Sequence, residues 1–242
     1  MIRRCPIPGL FVTGTDTGVG KTVVAGGIAD WFRRQGTRVA VLKPIATGCE
    51  WRREGLVSAD AEFLAHCADS PHPLDLISPQ RYAEPLAPAV AAERAGQPVD
   101  WGAVQRSLDL MTRDSDVIIV EGVGGVMVPL DDRYTVLDMA RWLGLPSVVV
   151  AKPGLGTINH TLLTVEALRP AGRVAGVVIN RYPAENASVA EETNPRVIGR
   201  WGRVPVLCVV PEEPLPDGVT DLPSGIRAAL EPVDWQRFVS AA

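Results

Sequence analysis

Short runs of apolar, β-branched residues recur along the chain and alternate with stretches in which apolar residues follow a helical period. Most of these runs are continuous rather than alternating, which is typical of strands buried on both faces of a parallel sheet. The predicted strands are residues 10–13, 38–42, 117–120, 147–151, 174–179 and 206–210. The predicted helices are residues 23–35, 59–67, 88–95, 101–112, 136–143, 158–168 and 187–201. This alternation predicts an α/β fold with a doubly wound, mostly parallel sheet flanked by helices.

A long interval after the second predicted strand, residues 45–116, interrupts the alternation. It is rich in proline and contains helical patterns but no clear strand pattern. We expect such an insertion to lie over the carboxyl edge of the sheet, where ligands bind in folds of this kind. A Pro-rich and acidic stretch, residues 212–223, predicts a surface loop. Since no composition break or internal repeat divides the 242 residues, we expect one domain over residues 1–242.

Charge and cysteine usage narrow the range of partners. The net charge is -4 and the charged residues are scattered, which predicts neither a nucleic-acid-binding surface nor a membrane-binding one. The four cysteines are far apart, without the paired spacing of a zinc site or a disulfide framework. Such cysteine usage is typical of a reducing cytosol. No apolar stretch has the length of a signal peptide or a membrane span, so we expect a cytoplasmic protein.

A glycine-rich segment between the first predicted strand and the first predicted helix carries the strongest chemical signal. Residues 14–22 read GTDTGVGKT. Strand, glycine-rich turn, Gly-Lys-Thr and helix together predict a phosphate-binding-loop NTPase, in which backbone N–H groups and the helix N-terminus hold a polyphosphate. We expect Lys21 to neutralise β- and γ-phosphate oxygens and Thr22 to ligate Mg²⁺. The strict motif has glycine at the position of Thr15, so the alternative is an ordinary glycine-rich turn.

Two further charged residues directly follow apolar strand patterns. Lys43 ends the second predicted strand and precedes Pro44, and a lysine there points into the crevice where phosphates bind. Glu121 follows the third predicted strand and precedes Gly122-Val123-Gly124-Gly125, which is typical of a metal-positioning acid in phosphate-loop enzymes. The alternatives are a solvated lysine at a strand end and an acid at a helix start, although no helical pattern follows Glu121.

Three other features have both a structural and a functional interpretation. Asp60 lies in the first turn of a predicted helix, where a helix-stabilising acid and a metal ligand are equally compatible with the pattern. Residues 154–160 open another helix, whose free N–H groups can bind an anion, and His160 is interpreted there as structural. Asn180 ends a predicted strand and is either a turn residue or a contact to a base edge.

Four segments together resemble the dethiobiotin synthetase family. They are VTGTDTGVGKT at 12–22, KPIATG at 43–48, EGVGG at 121–125 and GTINH at 156–160. They follow that family's order and spacing, and weaker similarity spans nearly the whole chain. The resemblance implies that 7,8-diaminononanoate and CO₂ become dethiobiotin in biotin biosynthesis, through a carbamate and a carbamic–phosphoric anhydride, with ATP converted to ADP and phosphate. It also implies a homodimer with substrate sites at the subunit interface.

The resemblance further implies roles for individual residues. Lys21 and Lys43 would be catalytic, and Thr22, Asp60 and Glu121 would hold Mg²⁺. The residues implied to bind ATP are Gly18, Val19, Gly20, Lys21, Thr22, Val23, Asp60, Glu121, Gly122, Val123, Gly124, Asn180, Pro211, Glu212 and Glu213, of which Asn180 and the last three would lie at the adenine. The residues implied to bind the diamine are Thr15, Thr47, Gly156, Thr157 and Asn159, the last three across the dimer.

A regulatory switch ATPase of the chromosome-partition or septum-site kind is the alternative from another class. It shares the strand, the loop and the fold, but it carries a signature lysine where this chain has Asp16. An acid cannot neutralise phosphate charge, and no terminal membrane-targeting amphipathic helix is evident. The amide-forming domain of corrin-ring amidotransferases has a related fold, but it is expected to need a glutaminase domain that 242 residues do not accommodate.

Overall fold

A computed structural model describes residues 2–214 and 221–239 of the chain. The strands are β1 (Gly9–Gly14), β2 (Val39–Leu42), β3 (Ile45–Thr47), β4 (Glu50–Arg52), β5 (Gly55–Val57), β6 (Gln80–Tyr82), β7 (Val117–Gly125), β8 (Ser147–Ala151), β9 (Val174–Tyr182) and β10 (Val206–Pro211). The helices are α1 (Lys21–Arg34), α2 (Ala59–Ala68), α3 (Leu74–Ile77), α4 (Pro88–Ala95), α5 (Trp101–Met111), α6 (Val136–Leu143), α7 (Thr157–Leu168), α8 (Val189–Gly202), α9 (Ser224–Leu230) and α10 (Gln236–Val239). Among the described residues, no helix is both long and apolar enough to cross a membrane.

A six-stranded sheet in the order β10-β9-β8-β1-β7-β2 forms the centre of the fold. All of its strand pairs are parallel, which confirms the predicted α/β architecture. The chain adds β2 and β7 on one side of β1 and then β8, β9 and β10 on the other side. The carboxyl end of β1 therefore lies at the point where the strand order reverses, which is where ligands bind in doubly wound sheets.

The hydrophobic core lies on both faces of this sheet. β1 and β8, in the middle of the sheet, are buried along their whole length, which is why their sequences are continuous apolar runs. α1 covers part of the sheet with the fully buried side chains of Val24 and Ile28. The predicted strands and helices all form, within one to three residues of their predicted ends at most termini. The exception is β7, which extends to Gly125 rather than ending at residue 120.

The expectation that residues 45–116 contain no strand is wrong. β3 pairs with β6 in parallel, and β4 pairs with β5 in an antiparallel hairpin. Each of these strands has only three residues, which is too short to show an alternating pattern, and β4 is exposed along its length. α3, α9 and α10 were also not predicted, because four to seven residues do not establish a helical period. Part of the predicted surface loop, residues 215–220, lies outside the described residues.

The C-terminal helix α9 packs directly on α1, the helix that follows the phosphate loop. Gly27 permits this approach, because a Cβ atom there would lie 2.3 Å from Leu230 Cδ1. Next to this contact the buried Asp30 carboxylate accepts hydrogen bonds from Arg33 Nη2 at 2.7 Å and Arg34 Nε at 3.0 Å, both of α1, and from Arg227 Nε of α9 at 3.2 Å. We call these four residues the Asp30 cluster.

Replacing Asp30 by asparagine should destabilise the fold in a pH-dependent way. Burial raises the pKa of Asp30, but the hydrogen-bonding arginines outweigh burial and hold the pKa below the ordinary value of 3.8. The stabilisation is therefore complete above pH 3.8 and is lost as the pH falls through the lower pKa of the folded state. We expect Asp30→Asn to lower the free energy of unfolding by about 2 kcal/mol at pH 7 in denaturant titrations, and the difference to shrink in acid.

The control for this measurement is Asp109→Asn. Asp109 also pairs with an arginine, Arg3, but both side chains lie at the surface. Its replacement should change the free energy of unfolding by less than about 0.5 kcal/mol at either pH. A pH-independent loss in Asp30→Asn would show that the arginines do not depend on the charge of that carboxylate.

Candidate active site

The phosphate loop connects β1 to α1 and is shaped by two glycines with left-handed backbone angles. Gly18 has φ 70° and Gly20, the residue before α1, has φ 87°, a region that residues with a Cβ atom enter at a cost. Gly20 is also needed for space, because a Cβ atom there would lie 1.9 Å from Asn180 Nδ2. The same amide nitrogen donates a hydrogen bond to the Val19 carbonyl oxygen at 2.9 Å. Asn180, near the carboxyl end of β9, therefore holds the phosphate loop in place.

Lys21 begins α1 and folds back over the loop that precedes it. Its Nζ atom donates a hydrogen bond to the Asp16 carbonyl oxygen at 3.0 Å, and the residue is largely buried. Burial lowers the pKa of Lys21 to about 8. The negative charge of Glu121 opposes this effect, and the positive charge of Lys43 adds to it. The side chain is thus held at the floor of the loop, where a bound anion would restore its charge.

Lys43 lies between two carboxylates at the carboxyl edge of the sheet. Its Nζ atom is 2.6 Å from Glu121 Oε1 and 2.6 Å from Asp60 Oδ2, and it also donates to the Gly122 carbonyl oxygen at 3.3 Å. Thr22 Oγ1 lies 3.0 Å from Asp60 Oδ1 and 2.9 Å from Glu121 Oε1, so its single proton serves one carboxylate at a time. We call Thr22, Lys43, Asp60 and Glu121 the lysine–carboxylate cluster.

The structure excludes the alternative interpretations of Lys43 and Glu121. Lys43 is 3% exposed, so it is not a solvated lysine at a strand end. Glu121 is 1% exposed and lies inside β7 rather than after it, so it does not begin a helix. Ser58 caps α2 by accepting a hydrogen bond from the Ala61 N–H, which leaves the carboxylate of Asp60 for Lys43.

The charges of the cluster stabilise one another, but one carboxylate oxygen has no partner among the described residues. Burial lowers the pKa of Lys43, but the attraction of Glu121 and Asp60 outweighs burial and raises that pKa above its ordinary value. Burial likewise raises the pKa of Asp60, and Lys43 reverses the effect and lowers it. Glu121 Oε2 is buried and has no hydrogen-bond partner among the described residues. A buried carboxylate oxygen without a partner is costly, which is the local feature that fits a cation ligated here.

A cavity of about 450 Å³ opens over the phosphate loop and the lysine–carboxylate cluster. Its lining brings together residues that are far apart in the sequence. The predicted site residues on its wall are Gly18, Gly20, Lys21, Thr22, Val23, Lys43, Thr47, Asp60, Glu121, Val123 and Gly124. A second cavity of about 440 Å³ adjoins it on the far side of Gly20. The residues that line the second cavity are Gly20, Val23, Asn180, Arg181, Pro211, Glu212, Glu213, Pro214 and Ile226.

The predicted diamine residues do not all meet in one place. Thr47 lines the first cavity, whereas Thr15 and Thr157 line a third cavity, together with Asp16, Lys152 and His160. Gly156 and Asn159 line neither the first cavity nor the third. His160, interpreted from sequence as structural, is exposed on the wall of the third cavity. Within one chain, the start of α7 is therefore separate from Lys43.

Arg181 and Ile226 are among the cavity-lining residues that sequence reasoning missed. Arg181 lines all three cavities, and it has φ 61°, a left-handed angle that is uncommon for a residue other than glycine. Ile226 of α9 lines the second cavity from a helix that has no sequence signature. Arg181 could have been found from its position, since it is a basic residue directly after Asn180. No pattern in the sequence points to Ile226, because its position depends on how α9 packs.

The chain is similar to proteins of known name and to solved structures. A family model described as an AAA domain matches residues 8–220. The ATP-dependent dethiobiotin synthetase BioD of Thermodesulfovibrio yellowstonii is 42% identical over 212 residues, covering 84% of this chain and 88% of the relative. The protein of the same name from Anaeromyxobacter sp. (strain K) is 44% identical over 85% of this chain and 91% of the relative. The solved structure of the cell division ATPase MinD of Pyrococcus furiosus has a TM-score of 0.51 at 18% identity, covering 86% of this chain and 84% of that chain, which shows a shared fold alone.

Adding a single methyl group at Gly20 should abolish the function of the phosphate loop. Gly20→Ala combines backbone strain with a collision at Asn180, so the loop must shift and release the Val19 carbonyl. Gly36→Ala is the matched control, since φ at Gly36 is 79° but nothing lies within 4 Å of the new Cβ atom. We expect both to lose about 1–2 kcal/mol of stability from strain and only Gly20→Ala to lose nucleotide affinity, measured by calorimetry. Wild-type affinity in Gly20→Ala would contradict this role of Asn180.

Proposed function

This chain belongs to the dethiobiotin synthetase family, and we propose that it closes the ureido ring of dethiobiotin from 7,8-diaminononanoate and CO₂, with conversion of ATP to ADP and phosphate. It is an ATP-dependent cyclo-ligase of biotin biosynthesis. One observation carries the proposal at the level of chemistry. Two lysines, Lys21 at the start of α1 and Lys43 after β2, line one cavity. The hydroxyl of Thr22 and the carboxylates of Asp60 and Glu121 line the same cavity.

The reaction needs positive charge at each step. One amine of the substrate adds to CO₂ and loses a proton, giving a carbamate. A carbamate oxygen then attacks the γ-phosphorus of ATP, the bond from that phosphorus to the β-phosphate oxygen breaks, and ADP leaves. The second amine attacks the carbamoyl carbon, phosphate leaves and the ring closes with loss of a proton. All species after the first step are anionic, so fixed cations stabilise the developing charge.

Lys43 supplies a fixed charge rather than a site of proton transfer. Because its carboxylate neighbours raise its pKa, it stays an ammonium group throughout the pH range of the reaction. Its burial at the carboxyl edge holds it within the first cavity without freedom to point into solvent. We assign to Lys43 the stabilisation of the carbamate and of the transferred phosphoryl group, and to Lys21 the β- and γ-phosphates.

The lysine–carboxylate cluster also fits a magnesium ion. A hydroxyl and two carboxylates are hard oxygen donors, the type that Mg²⁺ prefers, and Glu121 Oε2 has no partner among the described residues. We propose that Thr22, Asp60 and Glu121 hold Mg²⁺, which when bound neutralises the charge of the β- and γ-phosphates.

The second cavity is the proposed site of the nucleoside. It adjoins the first cavity at Gly20, so a nucleotide can reach across with its phosphates on the loop and its base beyond it. Asn180 lines this cavity and its nitrogen donates to the Val19 carbonyl oxygen, so we assign the contact with the base to its side-chain oxygen. The remaining proposed contacts are Pro211, Glu212 and Glu213. The name of the relatives supports ATP as the nucleotide.

A second copy of the chain completes the proposed diamine site. Lys43 and Thr47 line the first cavity, but Gly156 and Asn159 of the same chain do not, so the carboxylate end of the diamine needs a helix start from elsewhere. Leu155, beside this helix start, is an apolar side chain that is 96% exposed. Contact with a second chain would remove it from water. We propose a homodimer in which Gly156, Thr157 and Asn159 of one chain bind the diamine held by Lys43 of the other. A cytoplasmic location, suited to free thiols and ATP, stays a prediction.

The switch-ATPase alternative has support from fold alone. The likeness to MinD is at 18% identity, and this chain has Asp16 where that class carries its signature lysine. Asp16 contributes its backbone carbonyl to Lys21, and its side chain accepts a hydrogen bond from the Thr17 N–H at 2.7 Å. Its carboxylate therefore stabilises the loop locally and provides no cation for a neighbouring chain.

Product formation tests the proposed function directly. The chain incubated with 7,8-diaminononanoate, bicarbonate, Mg²⁺ and ATP should form dethiobiotin, detected by mass spectrometry, with one ADP released for each ring closed. Because the carbamate is the acceptor of the phosphoryl group, omission of the diamine should reduce ADP release to background. ATP hydrolysis at an equal rate without the diamine would instead indicate a switch ATPase.

Mixing two inactive variants should restore activity if the site is shared between chains. Lys43→Met removes the fixed charge and should cost about 10²-fold or more in turnover. Asn159→Asp places a negative charge where the substrate carboxylate is proposed to bind and should weaken the diamine. In co-expressed mixtures about half of the dimers contain one chain of each variant, and each mixed dimer has one intact site and one doubly substituted site. Turnover should therefore recover to about a quarter of wild type. Turnover no higher than the sum of the two variants would place both residues in the same site of one chain.

A further inference from the structure

We propose that α9 is a wall of the base cavity and that Arg227, through its ion pair with Asp30, is the positioning residue that fixes this wall. The inference rests on the proposed function, because it assigns the second cavity to the base of the nucleotide. Neither Arg227 nor α9 belongs to the phosphate loop or the lysine–carboxylate cluster. The proposal therefore extends the nucleotide site to the C-terminal part of the chain.

The wall is formed by the side chain of Ile226. Ile226 is largely buried and lines the second cavity, as do Asn180 and Val23 of α1. An apolar wall facing a polar amide is the arrangement that binds a flat, amphipathic base, since the wall contacts the ring face and the amide contacts the ring edge. The affinity for the base then depends on the distance of Ile226 from Asn180.

That distance is set by the packing of α9 on α1. A seven-residue helix is not stable by itself, so its position depends on tertiary contacts. Contacts with α1 anchor it. Leu230 approaches Gly27, and Glu231 at the end of α9 forms an ion pair with Arg34. Nearer the start of α9, Arg227 Nε donates a hydrogen bond to Asp30 Oδ2 at 3.2 Å. Arg227 directly follows Ile226, so this ion pair holds the turn of α9 that carries the wall.

The loop on the other side of the cavity also rests on α9. A Cβ atom at Gly225 would lie 1.8 Å from Glu213 Oε1, so the carboxylate of Glu213 is seated against the first turn of the helix. Glu213 lines the base cavity, as does its neighbour Glu212. A shift of α9 would therefore move both the apolar wall and the loop that faces it.

Arg33 provides a matched control within the same cluster. Its Nη2 atom pairs with Asp30 Oδ1 at 2.7 Å, and its Nε atom donates to the Cys67 carbonyl oxygen of α2. It has no recorded hydrogen bond or ion pair with α9 among the described residues. Loss of Arg33 and loss of Arg227 each remove one guanidinium from the same buried carboxylate, but only the second removes a contact that holds the first turns of α9.

The experiment compares binding of ATP and of inorganic triphosphate to the full chain by calorimetry. Arg227→Met should raise the Kd for ATP by about fivefold and leave the Kd for triphosphate unchanged. Among the described residues, α9 makes no hydrogen bond to the phosphate loop. Arg33→Met should leave both Kd values unchanged, although it should lower Tm by a similar amount. Ile226→Ala, which shortens the wall but keeps the anchor, should show the same ATP-specific loss.

Two results would overturn the inference. An unchanged Kd for ATP in both Arg227→Met and Ile226→Ala would show that α9 does not contact the base. An equal loss of ATP and triphosphate affinity would show that the variants disturb the whole site rather than its wall. If the wild-type chain binds triphosphate but does not bind ATP more tightly, the assignment of the second cavity to a base is wrong. The proposed function would fail separately, if the wild-type chain formed no dethiobiotin.

Discussion

The pairing of one buried ammonium group with two carboxylates is the interaction on which the site depends. Lys43 and Glu121 are both almost fully removed from water, and neither would remain charged there without the other. Burial of such a pair costs more than an apolar contact of the same volume, so the fold does not gain stability by keeping it. What the pairing provides is position, since three charged groups from β2, β7 and α2 are held within hydrogen-bonding distance before any ligand arrives.

Parallel strands explain why so much of this arrangement was visible in the sequence. Apolar runs fixed the six central strands, and residues that directly follow or end such runs must lie at the same edge of the sheet. Lys43 and Glu121 were predicted on this ground, and the phosphate loop on the strand–glycine–helix order. Their mutual contact distances were not predictable, because Asp60 comes from a helix whose approach to β2 and β7 depends on the packing of an irregular insertion.

Features that depend on tertiary packing were missed. The three-residue strands of the insertion and the short C-terminal helices have no period long enough to read. Arg181 and Ile226 line the cavities because of a left-handed turn and a helix–helix contact, neither of which has a local signature. The separation of the α7 start from Lys43 is likewise a property of the whole sheet, with β8 and β2 on opposite sides of β1.

The close fit of Asn180 to Gly20 limits how the base preference of this scaffold can evolve or be redesigned. A bulkier residue at position 180 would collide with the loop backbone, and a smaller or apolar one would leave the Val19 carbonyl without its donor. Position 180, which is proposed to contact the base, is therefore constrained by its contact with the phosphate loop. Substitutions that change the second cavity are better accommodated at the more exposed acidic residues after β10, which are outside the phosphate loop.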